Sequence, residues 1–196
     1  MERAHQDFRD AFATGRLSES RIARWLIHEE HWNILPAYDL EQATGKGPRL
    51  FTPDRELVVP DLLAMKLEGN ECLLAWFEAK HKTHFTWYRR ARSWQTGIDL
   101  RHYLDYLKVQ EQTGQEVFLC FFHEGSTPSA SDRANGAPSM CPTGLYRQSL
   151  RVLTTREDHR GEYQRDGRRC QMVYWNEQDL MRIATVEQVM YRQHPP

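Results

Sequence analysis

No apolar run in the 196 residues approaches the roughly 20 needed for a helix to cross a bilayer, so no membrane partner is expected. The opening MERAHQDFRD is charged where a secretory leader needs an apolar stretch, and the expected compartment is the cytoplasm. Cysteine is scarce. Cys72, Cys120, Cys141 and Cys170 show no C-x-x-C spacing, which argues against both a disulfide framework and structural zinc. A large charge excess is missing too: the formal net charge is -1, unlike that of a protein that coats nucleic acid through bulk positive charge. No internal repeat is present, and the length fits one domain over residues 1–196.

One local absence is informative. From Ala79 to Ile98 there is no Asp or Glu, while Lys80, Lys82, Arg89, Arg90 and Arg92 supply five positive charges. Phe85, Trp87, Tyr88 and Trp94 are interleaved with them, together with His81 and His84. Basic groups bind phosphates and aromatic rings stack on unpaired bases, so the mixture suits a branched or partly single-stranded nucleic acid. The plainer alternative is a solvated segment whose aromatics fold back on the core. A zinc site at His81 and His84 lacks further ligands at suitable spacing.

Just before this stretch two apolar runs, LLAMKL and CLLAWF, flank a Gly69-Asn70 pair that favours a two-residue hairpin turn with glycine first. If Glu68 and Glu71 flank the turn, Leu67 faces Cys72, Ala64 faces Ala75 and Asp61 faces Glu78. Opposed side chains in an antiparallel pair have Cβ atoms roughly 5 Å apart, and like charges there destabilise the pair unless something neutralises them. A hard divalent cation does so. Mg²⁺ is held by one or two carboxylates plus waters and substrate phosphates, and Lys80 projects from the same strand face as Glu78. Glu-x-Lys also occurs on exposed strand faces, where the charges merely screen each other. Here it ends a continuous apolar run of the kind expected of a strand buried on both faces.

Residues 2–14 form a plausible short helix. Ser18 can cap a second, with Ile22, Trp25, Leu26 and Glu29 at helical spacing. A strand is expected at about Asn33 to Tyr38, then a loop through EQATGKGPRLFTP, then the hairpin, giving a three-stranded meander. Thr96-x-x-Asp99 matches a capping box opening a helix to about Thr113, with Leu100, Tyr103, Leu104 and Leu107 buried and Gly114 ending it. EVFLCFF reads as a buried strand. HEGSTPSASDRANGAPS reads as a mobile surface loop and REDHRGEYQRDGRR as an exposed turn between RVLTT and CQMVYW, two runs able to extend the sheet. A C-terminal helix is expected from Asn176 to Tyr191.

Pro60-Asp61 and Glu78-Ala79-Lys80, with these elements on either side, resemble the PD-(D/E)XK nuclease superfamily, which includes type II restriction enzymes, archaeal Holliday junction resolvases and phage recombination nucleases. The resemblance covers about residues 18–123, leaving 124–196 as a loop-rich extension. FEAKHK followed by Trp94-Gln95-Thr96-Gly97-Ile98-Asp99 is also similar to phage and prophage proteins. The implied fold is α/β: a restriction-endonuclease-like core, a mixed central sheet flanked by helices in the order α-β-β-β-α-β.

The implied activity is a metal-dependent DNA endonuclease, structure-selective, in which Asp61, Glu78 and the backbone carbonyl of Ala79 hold Mg²⁺ or Mn²⁺. That cation would polarise the scissile phosphate and lower the pKa of a water. Lys80 would orient or activate the water, making Asp61, Glu78 and Lys80 the catalytic set. The resemblance also suggests an acid from the preceding helix. Glu19 sits near that position, Glu29 and Glu30 compete, and a first-turn acid favoured by the helix dipole is the ordinary reading of Glu19. Nucleic-acid contacts are expected from Lys82, Arg89, Arg90, Arg92 and Trp87, and from Arg101, Lys108 and Gln110 on the following helix. DNA is the expected partner, with a homodimer as a further option. The alternative is a nuclease-fold module that binds nucleic acid or protein without cutting.

Overall fold

The Gly69-Asn70 turn fixes the register on which the rest is built. Gly69 has φ +62°, a left-handed conformation that glycine adopts without strain. Around it strands β4 (Leu62–Glu68) and β5 (Glu71–Lys82) pair with Leu67 opposite Cys72, Ala64 opposite Ala75 and Leu62 opposite Phe77. The structure is a computed structural model, and it describes residues 19–37, 48–165 and 168–191. The expected helix over residues 2–14 and its neighbour's Ser18 cap lie outside the described residues.

The central sheet is mixed and six-stranded, in the order β1-β4-β5-β8-β9-β12, with β1 at Asn33–Pro36, β8 at Glu116–His123, β9 at Gly144–Ser149 and β12 at Met181–Ala184. Its one parallel pair is β5 with β8. Alternation along these strands supplies two cores. Ala75, Phe77 and Ala79 of β5 and Cys120 and Phe122 of β8 face helix α1 (residues 19–30), meeting Ile22 and Leu26, and α5 (Val186–Tyr191), meeting Val189. Val117, Leu119 and Phe121 face the other way, onto Tyr103 and Tyr106 of α2 (Leu100–Thr113) and Leu150 and Leu153 of α4 (Leu150–Thr155).

A four-stranded sheet packs on that second face, in the order β10-β11-β7-β6, with β6 at Thr86–Tyr88, β7 at Ser93–Asp99, β10 at His159–Arg165 and β11 at Arg168–Asn176. Ile98, Val173 and Trp175 are its contribution to the core. Strand β7 runs straight into α2, so this sheet is held against the end of β5. No helix among the described residues is long and apolar enough to cross a membrane.

Several expectations are corrected. Among the described residues seven strands, rather than three, lie between α1 and α2, and of these β1, β4 and β5 belong to the central sheet. Part of the expected loop at 41–53 is strand β2 (Arg49–Phe51), paired with β3 (Glu56–Val58). Thr96 caps nothing: it is in β7, opposite Trp175, and the N-cap of α2 is Asp99, whose Oδ1 accepts from the Arg101 amide at 2.8 Å. The buried stripe of α2 is Leu100, Tyr103, Tyr106 and Val109, and Leu104 is 42% exposed. Gly114 does end the helix, with φ +68°. RVLTT is helix α4, capped by Ser149, and the polar REDHRGEYQRDGRR carries most of the β10–β11 hairpin. Within the Ser- and Pro-rich segment, Ser129 and Asp132 form a reciprocal capping box for α3 (Ala130–Ala134). The expected C-terminal helix is a 3-10 turn at Glu177–Asp179, strand β12 and α5. All four cysteines are free.

At Gly97 of β7 the β11 backbone leaves no room for a side chain. A Cβ there would sit 2.2 Å from the Val173 carbonyl oxygen, a backbone atom that cannot swing aside. Gly97→Ala is expected to cost about 1–3 kcal/mol or more by overpacking, read as a lower midpoint in urea unfolding.

Candidate functional site

Pro60 has no amide to donate, so the β4–β5 ladder cannot continue through it, and pairing begins at Leu62 opposite Phe77. Asp61, one residue outside the ladder, takes over with its side chain. Its Oδ2 accepts from the Ala79 amide at 3.0 Å, and its own carbonyl accepts from the Ala37 amide at 2.9 Å. A strand residue's N–H and C=O face the same neighbour, so the Ala79 carbonyl also opens toward Asp61, past the end of β4.

Glu78 has no exposed surface. The Lys80 ammonium is in contact with its Oε1 and lies 3.8 Å from Asp61 Oδ2. Beyond that contact, neither Glu78 oxygen meets hydrogen-bond geometry among the described residues. Two carboxylates thus share one ammonium. Burial, and then the charge of Glu78, raise the Asp61 carboxyl to about 7, outweighing Lys80 and the Ala79 amide, which lower it. Burial alone would lower the Lys80 ammonium, but Glu78 and Asp61 together push it above its ordinary value.

Helix α2 adds groups to this site that the sequence reading missed. Tyr106 is buried with its hydroxyl near Glu78, and it is raised well above the ordinary tyrosine value by burial, then by Glu78 and Asp61. His102 borders the same space and is lowered by burial and then by Lys80. Asp99, His102 and Tyr106 follow the helical period on one face, a pattern hidden when the helix is started at Thr96.

The remaining predicted residues divide. Lys82 stands with Lys80 and His84 along a cleft of about 610 Å³ between the end of β5 and the open face of the second sheet. Arg89, Arg90 and Arg92 are exposed at the tip of the β6–β7 hairpin. Trp87 packs edge-to-face on Trp94 at 5.1 Å and its amide donates to Asp132 at 2.9 Å, while Phe85 is buried against His123 at 3.6 Å. Phe85 is a core residue, whereas Trp87 and Trp94 are half-buried. Arg101 is exposed on the first turn of α2. Lys108 points away from the cleft, into a separate hollow with Thr52, Asp54 and Glu111, and the Gln110 side chain accepts from the Val117 amide.

Of the candidate helix acids, Glu19 acts electrostatically on Lys80, whereas Glu30 is paired with Arg147. His81 and His84 approach different acids, Glu124 at 3.4 Å and Asp132 at 3.8 Å, so they do not converge on one ion. Among the described residues no cluster of three or more His, Cys, Asp or Glu forms. The oxygens at this site that could hold a cation are two carboxylates and the Ala79 carbonyl. All are hard oxygen donors, suited to Mg²⁺ or Mn²⁺ completed by water and phosphate rather than to zinc.

No family model matches the chain, and no curated protein matches it in sequence. A Holliday junction resolvase from the archaeal hyperthermophile Archaeoglobus fulgidus is similar in structure, with 11% identity, a TM-score of 0.38, and coverage of 82% of this chain and 89% of that one. At that identity and TM-score the likeness decides neither fold nor function.

The raised Asp61 carboxyl fixes a pH dependence. The unfolded chain ionises this group near its ordinary value of 3.8 and the folded chain only near 7, so the stability tied to Asp61 is greatest below 3.8, falls as pH rises toward 7 and is level above it. Asp61→Asn, which keeps an oxygen for the Ala79 amide, should in the absence of metal be more stable than the parent at pH 8 by at least about 1 kcal/mol, roughly 2–4 °C in Tm. The advantage should fade as pH is lowered from 7 toward 4, as followed by thermal unfolding in EDTA.

Proposed function

We propose that this chain is a metal-dependent DNA endonuclease that hydrolyses phosphodiester bonds in branched or partly single-stranded DNA. The observation that supports this most is the convergence of Asp61, Glu78 and Lys80 at the end of the β4–β5 hairpin. Two buried carboxylates served by a single ammonium cost stability, and a protein needing only structure would do better with apolar side chains there. The cost makes sense if a cation and a phosphate complete the charge balance.

Asp61, Glu78 and the Ala79 carbonyl would hold Mg²⁺ or Mn²⁺, which supplies a Lewis acid for the phosphodiester and acidifies a water. Binding it requires Asp61 to give up its proton, so metal affinity should rise as pH passes through about 7. Lys80 stays charged throughout. Its ammonium, held between the two acids, is available to orient the attacking water and to offset the charge that develops on the phosphate. His102, kept neutral by burial and by Lys80, can hydrogen-bond a phosphate oxygen in the same cleft. Lys82 and the exposed Arg89, Arg90 and Arg92 would neutralise flanking phosphates, giving binding that weakens with salt. Glu19 is the acid of α1 whose charge reaches Lys80, which favours it over Glu30 as an accessory ligand.

The deciding experiment is incubation with Mg²⁺ or Mn²⁺, against EDTA, on linear, flap, single-stranded and four-way DNA. Metal-dependent cutting of a branched or single-stranded member supports the proposal, whereas binding without cutting of any member would leave a nuclease-fold binding module. Lys80→Ala should lower the cleavage rate at least about a hundredfold, far more than it weakens DNA binding, because most of its work lies in the transition state. Near-parental turnover in that variant would sink the catalytic assignment.

A further inference from the structure

The cross-strand register of the second sheet lines up one face that no other layer of the described protein covers. Tyr174 stands between Gly97 and His159, Met172 between Asp99 and Gly161, and Cys170 opposite Tyr163. The opposite face, with Ile98, Val173 and Trp175, is in the core. The open face is curled. Tyr88 of β6 and His159 of β10 come from the two edge strands of the sheet, yet their rings stack at 4.2 Å and 14°, and His159 stacks in turn on Tyr174 at 4.8 Å and 12°.

Polar side chains beside this column of rings hold it in place. Asp158 holds His159 Nδ1 at 2.8 Å and accepts from Gln95 at 2.9 Å, and Gln95 and Ser93 both donate to Asn176. Gly97 and Gly161 make room for the Tyr174 ring, since a Cβ on either would lie 2.9 or 3.2 Å from its carbons. Of the three stacked rings Tyr174 is the one that lines the cleft, and Tyr163, 53% exposed, lines it from the neighbouring strand.

Across the cleft stand Lys80, Lys82 and His84. Among the described lining residues Asp99 is the one acid, and it already accepts from the Arg101 amide. The space therefore has tyrosine rings on one wall and cations on the other, and its volume of about 610 Å³ suits a ligand of nucleotide size. In a duplex the ring faces of bases are occupied by their neighbours, and only an unpaired base can offer its face to a tyrosine.

We propose that this cleft is a subsite for unpaired nucleotides of a nucleic-acid strand, with the bases against Tyr174 and Tyr163 and the phosphates toward Lys80 and Lys82. It rests on the nuclease reading only in making this strand the one that leads to Asp61 and Glu78. The subsite would explain a preference for branched or single-stranded substrate without sequence readout, since stacking tolerates any base.

The test is binding without cleavage: fluorescence anisotropy of a labelled oligothymidine in EDTA, beside the same backbone made abasic and a matched duplex. The parent should bind the oligothymidine about tenfold more tightly than the abasic strand. Tyr163→Ala combined with Tyr174→Leu should abolish that difference and leave duplex affinity unchanged, whereas Tyr163→Phe with Tyr174→Phe should preserve it. Because Tyr163 is exposed, Tyr163→Ala alone gives the reading if the double variant fails to fold, with a loss of at least about threefold. Equal binding of abasic and normal strands by the parent, or an undiminished difference in the Ala and Leu variants, would overturn the subsite. Base-dependent binding by a chain that cuts nothing would sink the nuclease reading and keep the subsite. Cutting of single strands that is indifferent to these tyrosines and to base loss would do the reverse.

Discussion

The hydrogen bond from the Ala79 amide to the Asp61 carboxylate is the contact on which the site depends. It engages the Ala79 amide where Pro60, with no amide of its own to donate, ends the β4–β5 ladder, and it turns the end of the hairpin into a fixed carboxylate beside Glu78. A hydrogen bond to a charged group contributes about 1.5–3 kcal/mol, while burying an ion costs several, so this bond alone cannot justify two acids there. Lys80 offsets part of the deficit. The remainder shows as the Asp61 carboxyl raised to about 7. Such a centre is stable enough to persist and short of positive charge, which is the condition for taking up a cation together with an anionic substrate.

The two sheets divide the work. The central sheet carries Glu78, Lys80 and Lys82 on β5, where the hairpin register and the β5–β8 pairing hold them, with Asp61 just before β4. The second sheet, joined to the first through β7 and α2, supplies the facing wall of the cleft. Because α2 begins at Asp99, its first turns bring His102 to the cleft and Tyr106 to Glu78. A single helix thus connects the ring-lined wall to the buried carboxylate.

What was legible in the sequence follows from locality. Period-two alternation around one glycine turn sets the β4–β5 register, so Asp61 could be paired with Glu78 by counting, and an apolar run of strand length marks β8. What failed depended on distant partners. Thr96-x-x-Asp99 has the letters of a capping box, but Thr96 is claimed by Trp175, 79 positions along the chain, and only the close approach at Gly97 hinted at a neighbouring backbone. REDHRGEYQRDGRR looks like an exposed turn because its strand residues include the exposed Arg160, Glu162 and Arg169, which alternate with the residues of the open face and leave no apolar period. RVLTT, rich in β-branched residues, becomes a helix because Ser149 caps it and Leu150 and Leu153 turn toward the core. Of the aromatic residues interleaved with the basic ones, Phe85 is buried and Trp87 half-buried against Trp94, and the tyrosines that line the cleft come from β10 and β11.

The most direct test of the metal centre is to titrate the protein with Mn²⁺ at pH 8 and follow free Mn²⁺ by electron paramagnetic resonance, in the parent and in Glu78→Gln. Saturable binding in the parent that is lost or sharply weakened in Glu78→Gln is the expected result. No binding in the parent, or binding undiminished by the substitution, would contradict the assignment of Asp61 and Glu78 as a divalent-cation site.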